Sequence, residues 1–408
     1  MKSLPLGLVW VAAHPPLAPF SGGKLKTRTA LTLCSPYLPI HLLTFAAPET
    51  AESVQEQLTE EWCPQGIRVT VLPLNAQSNV GDALLRHQLL TTTRLPLDSA
   101  LAKITELGGT SDTGLVVMDD IALAPLLNKC GNHTLFSPHD CISAMELSSL
   151  RLMPSGIRKI RQLMQYRMSL YYERNYYHKA LLVHLVTNRD RKNLQDINSQ
   201  CRCHVVPYRD ESVERAVTQD RFTHDVIVWS DLRRDGLLQG TLKFISEALN
   251  SPLSRRRLLI VGKLSQGEAL SKFRYALPNT WDYGQYLEDE QGQMRYGRIT
   301  LIPDIGGAGI KSRILNTISS GDCVATLYEQ MAGIDEIADV GALNSFSFAE
   351  LVRLIEQSLL DGTWEQIGLT GQMMLQQQLS DEKLRDAWLG MVDRAMVIKR
   401  RLVSNTRV

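Results

Sequence analysis

Short apolar runs alternating with longer stretches of helical period, in two successive series, constrain this chain more than any other feature. Residues 6–13, 40–45, 67–72, 114–118 and 180–186 are rich in Val, Leu and Ile and are bounded by polar or turn-forming residues. Runs this short and continuous read as strands buried on both faces. Between them, residues 51–62 and 80–91 have the length and polarity of surface helices. A second series repeats the scheme, with strands at 225–229, 257–261, 298–303 and 323–326 and helices at 240–249, 311–319 and 348–359. Strands that alternate with helices imply parallel sheets joined by right-handed crossovers. The expected fold is therefore α/β, with two Rossmann-like halves.

Domain limits follow from the same pattern. A strand ends at Val205-Val206-Pro207, and the polar stretch 209–223 follows it. This sets an N-terminal domain at 1–206, a second at 207–380, and a closing polar helix within 381–408. That helix is placed at 381–401, where its basic end, Lys399-Arg400-Arg401, suits the negative end of a helix dipole.

Composition narrows the function. The 408 residues are enough for two cores, and 44 basic against 43 acidic residues leave a net charge of +1. Binding to nucleic acid through phosphate neutralisation calls for a basic excess or stripe, so no nucleic-acid partner is expected. The seven cysteines are odd in number and irregularly spaced, which points to a reducing, cytoplasmic setting. Cys201 and Cys203 lie one residue apart beside His204, the wrong spacing for a Cys-x-x-Cys zinc pair. They read as packed thiols, and no metal is expected. The opening apolar run is too short to span a bilayer and lacks the cleavage site of a signal peptide.

One stretch stands apart. Arg151, Arg158, Lys159, Arg161, Arg167, Arg174 and Lys179 are interleaved with Leu, Met and Tyr. They make either a basic amphipathic surface in peripheral contact with the inner face of an anionic membrane, or a solvated helix face whose apolar side is in the core. The second arrangement is the commoner. On the same helix, Glu173 between Tyr172 and Arg174 reads either as half of a surface ion pair or as a functional carboxylate, the first at least as readily.

The strongest chemical signal is the run Pro303-Asp304-Ile305-Gly306-Gly307-Ala308-Gly309-Ile310-Lys311. A strand ends at Pro303, glycines crowd the turn, and a helix begins near Ile310. Such a turn lets backbone approach a ligand, and a helix start offers N–H groups to an anion. Lys311 adds a positive charge that suits a diphosphate. No Gly-Lys-Ser/Thr follows at Walker spacing.

This segment, continuing to Thr326, resembles the donor-binding segment of family 4 glycosyltransferases. Gly22-Gly23 with Lys24 to Arg28 resembles that family's first loop, and Phe136-Ser-Pro-His139-Asp140 its mid-domain histidine. Val205-Val206-Pro207 and Leu259-Ile260-Val261-Gly262 fall in the family's order. The resemblance implies the GT-B fold, two Rossmann-like domains facing a central cleft. It also implies a retaining transferase moving sugar from a nucleoside diphosphate to a saccharide or lipid-linked glycan acceptor, as in polysaccharide biosynthesis. The nucleotide-sugar is then a donor substrate, and no further cofactor is implied. His139, Lys311 and Arg233 take the catalytic places. Gly22, Gly23, Gly306, Gly307, Ala308, Gly309, Ile310 and Asn316 take the donor-binding ones.

Four features leave alternatives open. Asn316 stands where the family has a glutamate holding the ribose, and Arg233 or Arg234 replaces an expected Arg/Lys pair. A non-catalytic GT-B scaffold that binds a glycan or another glycosyltransferase fits those departures. His139 itself reads equally as a cap or core residue, and Trp281 and Tyr283 as core packing or a nucleobase platform.

Overall fold

The computed structural model describes residues 7–18, 21–75, 89–153, 155–209, 222–232, 235–262, 277–284 and 297–406. Arg233, most of the helix expected over 80–91 and most of the polar stretch 209–223 lie outside these residues. The chain divides into two compact units, one of residues 1–147, 160–209 and 381–408, the other of 148–159 and 210–380.

The first unit is built on seven strands: β1 (Gly7–Ala12), β2 (Ile40–Ala46), β3 (Arg68–Pro73), β4 (Gly114–Asp119), β5 (Thr134–Ser137), β6 (Leu182–Leu185) and β7 (Cys203–Val205). Their order in the sheet is β3-β2-β1-β4-β5-β6-β7, and every pairing is parallel. Alternate residues of each strand enter opposite cores. Val9, Val11, Val116, Met118 and Phe136 face one cluster, while Leu8, Trp10, Leu115, Val117 and Leu135 face the other. A period of two with both faces apolar is what a doubly covered parallel sheet demands.

The second of those clusters is completed from the far end of the chain. Helix Asp381–Thr406 contributes Trp388, Met391, Val392, Ala395 and Met396, with Trp388 5.4 Å from Trp10 between ring centroids. This helix runs past the expected end at residue 401. Lys399 is consequently not a solvated last-turn cation. It is 1% exposed, and its ammonium donates to the carbonyls of Ser111, at 2.5 Å, and Gly114.

The second unit repeats the plan with β8 (His224–Trp229), β9 (Leu258–Val261), β10 (Trp281–Gly284), β11 (Gly297–Ile302), β12 (Cys323–Leu327) and β13 (Leu343–Ser345), ordered β10-β9-β8-β11-β12-β13 and again all parallel. Helices Asp235–Leu249 and Phe348–Asp361 pack Phe244, Ile245, Phe348, Leu351 and Ile355 onto one face. Trp281 is buried in this core, and Tyr283 donates to the Gly262 carbonyl at 2.8 Å.

Two expectations are corrected. Glu173 is no surface ion pair: it is fully buried, accepts from the Ser143 N–H at 3.0 Å and from the Ser143 hydroxyl, and burial pushes its pKa up to about 7. The basic helix, Ile157–Asn175, does not turn its whole apolar side to the core either. Ile157, Ile160, Leu163, Met164 and Tyr171 are exposed. Among the described residues all seven cysteines are free thiols. No described helix is long and apolar enough to cross a membrane.

Candidate functional site

In an open parallel sheet, ligands bind beyond the carboxyl ends of the strands where the strand order reverses. Each unit has such a point, between β1 and β4 in the first and between β8 and β11 in the second. The residues singled out in the sequence collect at these two places.

In the first unit, β1 leads to the helix Gly22–Cys34, which Ser21 caps by accepting from the Lys24 N–H. Gly22 and Gly23 open this helix, and neither has a left-handed backbone. Their smallness serves space instead. A Cβ on Gly22 would meet the Tyr208 hydroxyl at 2.9 Å, and one on Gly23 would meet the His139 ring at 3.0 Å. His139 follows β5 with φ of +78°, and Asp120 follows β4 with φ of +117°. These are the two non-glycine residues with positive φ among those described. Asp120 compensates by accepting from the Ala122 N–H at 2.7 Å. Strained residues of this kind concentrate at functional sites and cost on the order of 1–3 kcal/mol each.

Beneath His139 is a buried charge network that the sequence reading does not identify. Lys26 Nζ lies 2.8 Å from Asp119 Oδ1, and both side chains are 1% exposed. The same ammonium donates to Ser137 Oγ at 2.5 Å, and Thr27 donates to Asp119 Oδ2. Ser137 in turn meets His184 Nδ1 at 2.8 Å, while His184 Nε2 meets the Val206 carbonyl at 2.8 Å. A carbonyl only accepts, so Nε2 carries the His184 proton, Nδ1 accepts from the Ser137 hydroxyl, and Ser137 Oγ accepts from Lys26. His139 Nε2 closes the chain 3.4 Å from Asp119 Oδ1, its side chain 21% exposed.

Electrostatics fix the protonation states. Burial opposes charge on Asp119, but Lys26, His139 and the bonds from Lys26 and Thr27 hold its carboxyl below the usual range. Burial lowers the Lys26 pKa against the attraction of Asp119. Burial and the neighbouring Lys26 charge bring His139 down to about 4, so its ring is neutral near pH 7. As a neutral ring it is no acid at that pH.

In the second unit β11 runs into the glycine turn. Gly306, Gly307 and Gly309 have φ of +70°, +97° and +68°, a region in which other residues are strained. The Gly306 N–H donates to Glu329 Oε1 at 3.2 Å. The helix after the turn is Ser312–Ser319, with Lys311 at its N-cap rather than inside it. The Lys311 ammonium curls back over the turn and donates to the Ala308 carbonyl at 3.0 Å. A Cβ on Gly307 would run into that nitrogen. Ala308 and Ile310 are buried, so their side chains anchor the turn.

Arg313 supplies the rigidity. Its Nη2 reaches both Asp304 carboxylate oxygens at 2.8 Å, its Nη1 donates to the Trp229 carbonyl at 2.9 Å, and its guanidinium lies 5.9 Å from the Trp229 ring. One side chain thus ties the end of β8 to the segment leaving β11, across the point where strand order reverses. Asn316 follows one turn later, and its Oδ1 is buried with no hydrogen-bond partner among the described residues. A carboxylate in its place would be a buried charge, which the amide avoids.

No family model matches the chain, and no curated protein does. Solved structures do. HepE of Anabaena, determined in complex with UDP, superposes with a TM-score of 0.62 at 13% identity, covering 94% of this chain and 99% of HepE. A mutant of S. aureus TarM, in a complex that includes UDP, gives 0.66 at 10% identity over 96% of this chain and 100% of TarM. Sucrose-phosphate synthase of Thermosynechococcus elongatus gives 0.64 at 13% identity over 98% and 99%. At these identities the likeness is one of architecture. The chain has the GT-B fold, two Rossmann-like units each built on a parallel sheet.

Proposed function

We propose that the protein is a glycosyltransferase that takes a sugar from a nucleoside diphosphate, with the donor held by the second unit. The observation that carries this reading is the Lys311 ammonium folded over a turn of three left-handed glycines, beyond the strand ends where the sheet reverses order. A diphosphate placed there gains a cation at the moment its bond to the anomeric carbon breaks and negative charge grows on the departing oxygen. HepE, bound to UDP in one structure and to UDP-glucose in another, has the same architecture and supports the choice of ligand.

Within this reading the remaining assignments are as follows. Gly306, Gly307, Ala308, Gly309 and Ile310 form the phosphate-facing turn, and Asn316 Oδ1 is an acceptor for a ribose hydroxyl. Arg233 is a second phosphate cation. Gly22, Gly23 and His139 border the transferred sugar. The acceptor is a saccharide or lipid-linked glycan, and transfer retains anomeric configuration. Because Lys311 neutralises the leaving group, no metal is required, and EDTA leaves the rate unchanged.

Titration calorimetry against a panel of nucleoside diphosphates tests the reading. At least one binds, and Lys311→Ala weakens it about tenfold or more, as expected when a charge-assisted contact is removed. Failure of every nucleotide in the panel would sink the proposal. Binding without transfer or hydrolysis of any donor sugar would instead favour the non-catalytic scaffold that Asn316 suggests.

A further inference from the structure

The helix Ile157–Asn175 is the place where the molecule leaves large apolar side chains in water without an evident reason of packing. Ile160 is 61% exposed, Met164 40% and Tyr171 39%, and Ile157 in the first turn is exposed as well. At about 100° per residue these four fall within an arc of about 60°, a single ridge along the helix. Arg161 flanks the ridge on one side, and Arg167 and Arg174 flank it on the other; all three are exposed. The one acid of the helix, Glu173, is fully buried on another face. The outward surface of the helix is therefore apolar along its crest, and the helix's own charged groups on both slopes are all cationic.

That combination selects its partner. A second copy of the same face would bring arginines against arginines, which opposes self-association. A nucleic-acid backbone satisfies the cations but leaves the crest in water. A bilayer with anionic headgroups satisfies both, since the crest enters the acyl boundary while the flanking guanidiniums bond phosphates. We propose that this helix seats the protein on an anionic membrane surface, through Ile160, Met164 and Tyr171 and the arginines 161, 167 and 174. The inference is independent of the donor reading, because the donor contacts share no residue with the ridge.

Co-sedimentation of the full chain with phospholipid vesicles tests it. The protein pellets with vesicles of phosphatidylcholine mixed with phosphatidylglycerol, stays in solution with phosphatidylcholine alone, and is released by added salt. The double variant Ile160→Glu with Met164→Glu loses binding about tenfold or more. Arg161→Gln and Arg167→Gln each weaken it about fivefold. All four positions are exposed, so circular dichroism and nucleotide titration of the variants match the unaltered protein. No pelleting with anionic vesicles, equal pelleting with neutral ones, or unchanged pelleting of the glutamate variant overturns the proposal. So does a dimer in light scattering that Ile160→Glu dissociates, which would make the ridge a self-interface. Nucleotide binding measured on the same preparation separates a failure here from a failure of the donor reading.

Discussion

The two units share a topology, and yet they equip the equivalent place in opposite ways. At the reversal point of the first sheet, the chain buries a lysine, an aspartate and His184, links them by an ion pair and hydrogen bonds through Ser137, and sets the partly exposed His139 3.4 Å from the aspartate. At that of the second it offers a backbone turn, with one lysine folded over it and one arginine bracing it from behind. Buried charges give a rigid geometry at a high cost if any member is lost. A glycine turn gives close access to a ligand at little electrostatic cost, and its rigidity must come from elsewhere, here Arg313 with Asp304. The same scaffold is thus specialised by whether side chains or backbone occupy its switch point.

This contrast is open to attack, most strongly through stability. Asp119→Ala leaves Lys26 buried without its partner and is expected to cost about 3–5 kcal/mol. Arg313→Ala, at a side chain 19% exposed, is expected to cost about 1–3 kcal/mol. Urea unfolding of both variants measures the difference, and equal losses would erase the distinction drawn between the units.

Glu173 provides the next test of how far the first unit depends on buried ionisable groups. Its pKa of about 7, against an ordinary 4.5, means the fold favours the protonated acid. The stabilisation is complete below pH 4.5 and is lost as pH rises through 7. Above that, the buried carboxylate costs about 3 kcal/mol. Glu173→Gln should therefore raise the melting temperature at pH 8 relative to the unaltered protein and not at pH 4. A pH-independent difference would show that the carboxyl is ionised in the folded protein throughout.

A smaller effect is expected at the glycines. Gly307→Ala forces a left-handed alanine against the Lys311 ammonium and should weaken nucleotide binding about tenfold, roughly 1.4 kcal/mol. Gly23→Ala displaces the His139 ring and should leave nucleotide affinity unchanged. If both weaken the nucleotide equally in calorimetry, the assignment of the donor to the second unit is wrong. Smallest of all is the response of His139 to pH: with a pKa of about 4, its ring signals in NMR should stay constant between pH 6 and 8. A midpoint in that range would mean that water reaches the ring and that Asp119, not burial, sets its charge.

Much of the fold is legible because strands buried on both faces write themselves as continuous apolar runs. The strands that escape such a reading, Thr134–Ser137, Trp281–Gly284 and Leu343–Ser345, have three or four residues and too little length to carry a period. The glycine turn and Lys311 are legible because they are contiguous. The Lys26–Asp119 network is not, since it depends on register: Asp119 pairs with Ser137 across two neighbouring strands, 18 residues apart in sequence. The hint is a charged residue closing an otherwise apolar strand, with a lysine three residues after Gly-Gly. The helix Ile157–Asn175 resists for a different reason. Amphipathic period shows that a stripe exists and is silent on what covers it.

The return of the last helix to the first unit bears on how the chain is made. Trp388 and Met391 pack on Trp10's side of the sheet, and Lys399 bonds the carbonyls of Ser111 and Gly114. During synthesis the first unit must wait, with part of one face of its sheet uncovered, while some 170 residues of the second emerge and fold. The unit begun first is the one finished last. A ribosome stalled before residue 381 would hold a folded second unit behind an open, aggregation-prone first one.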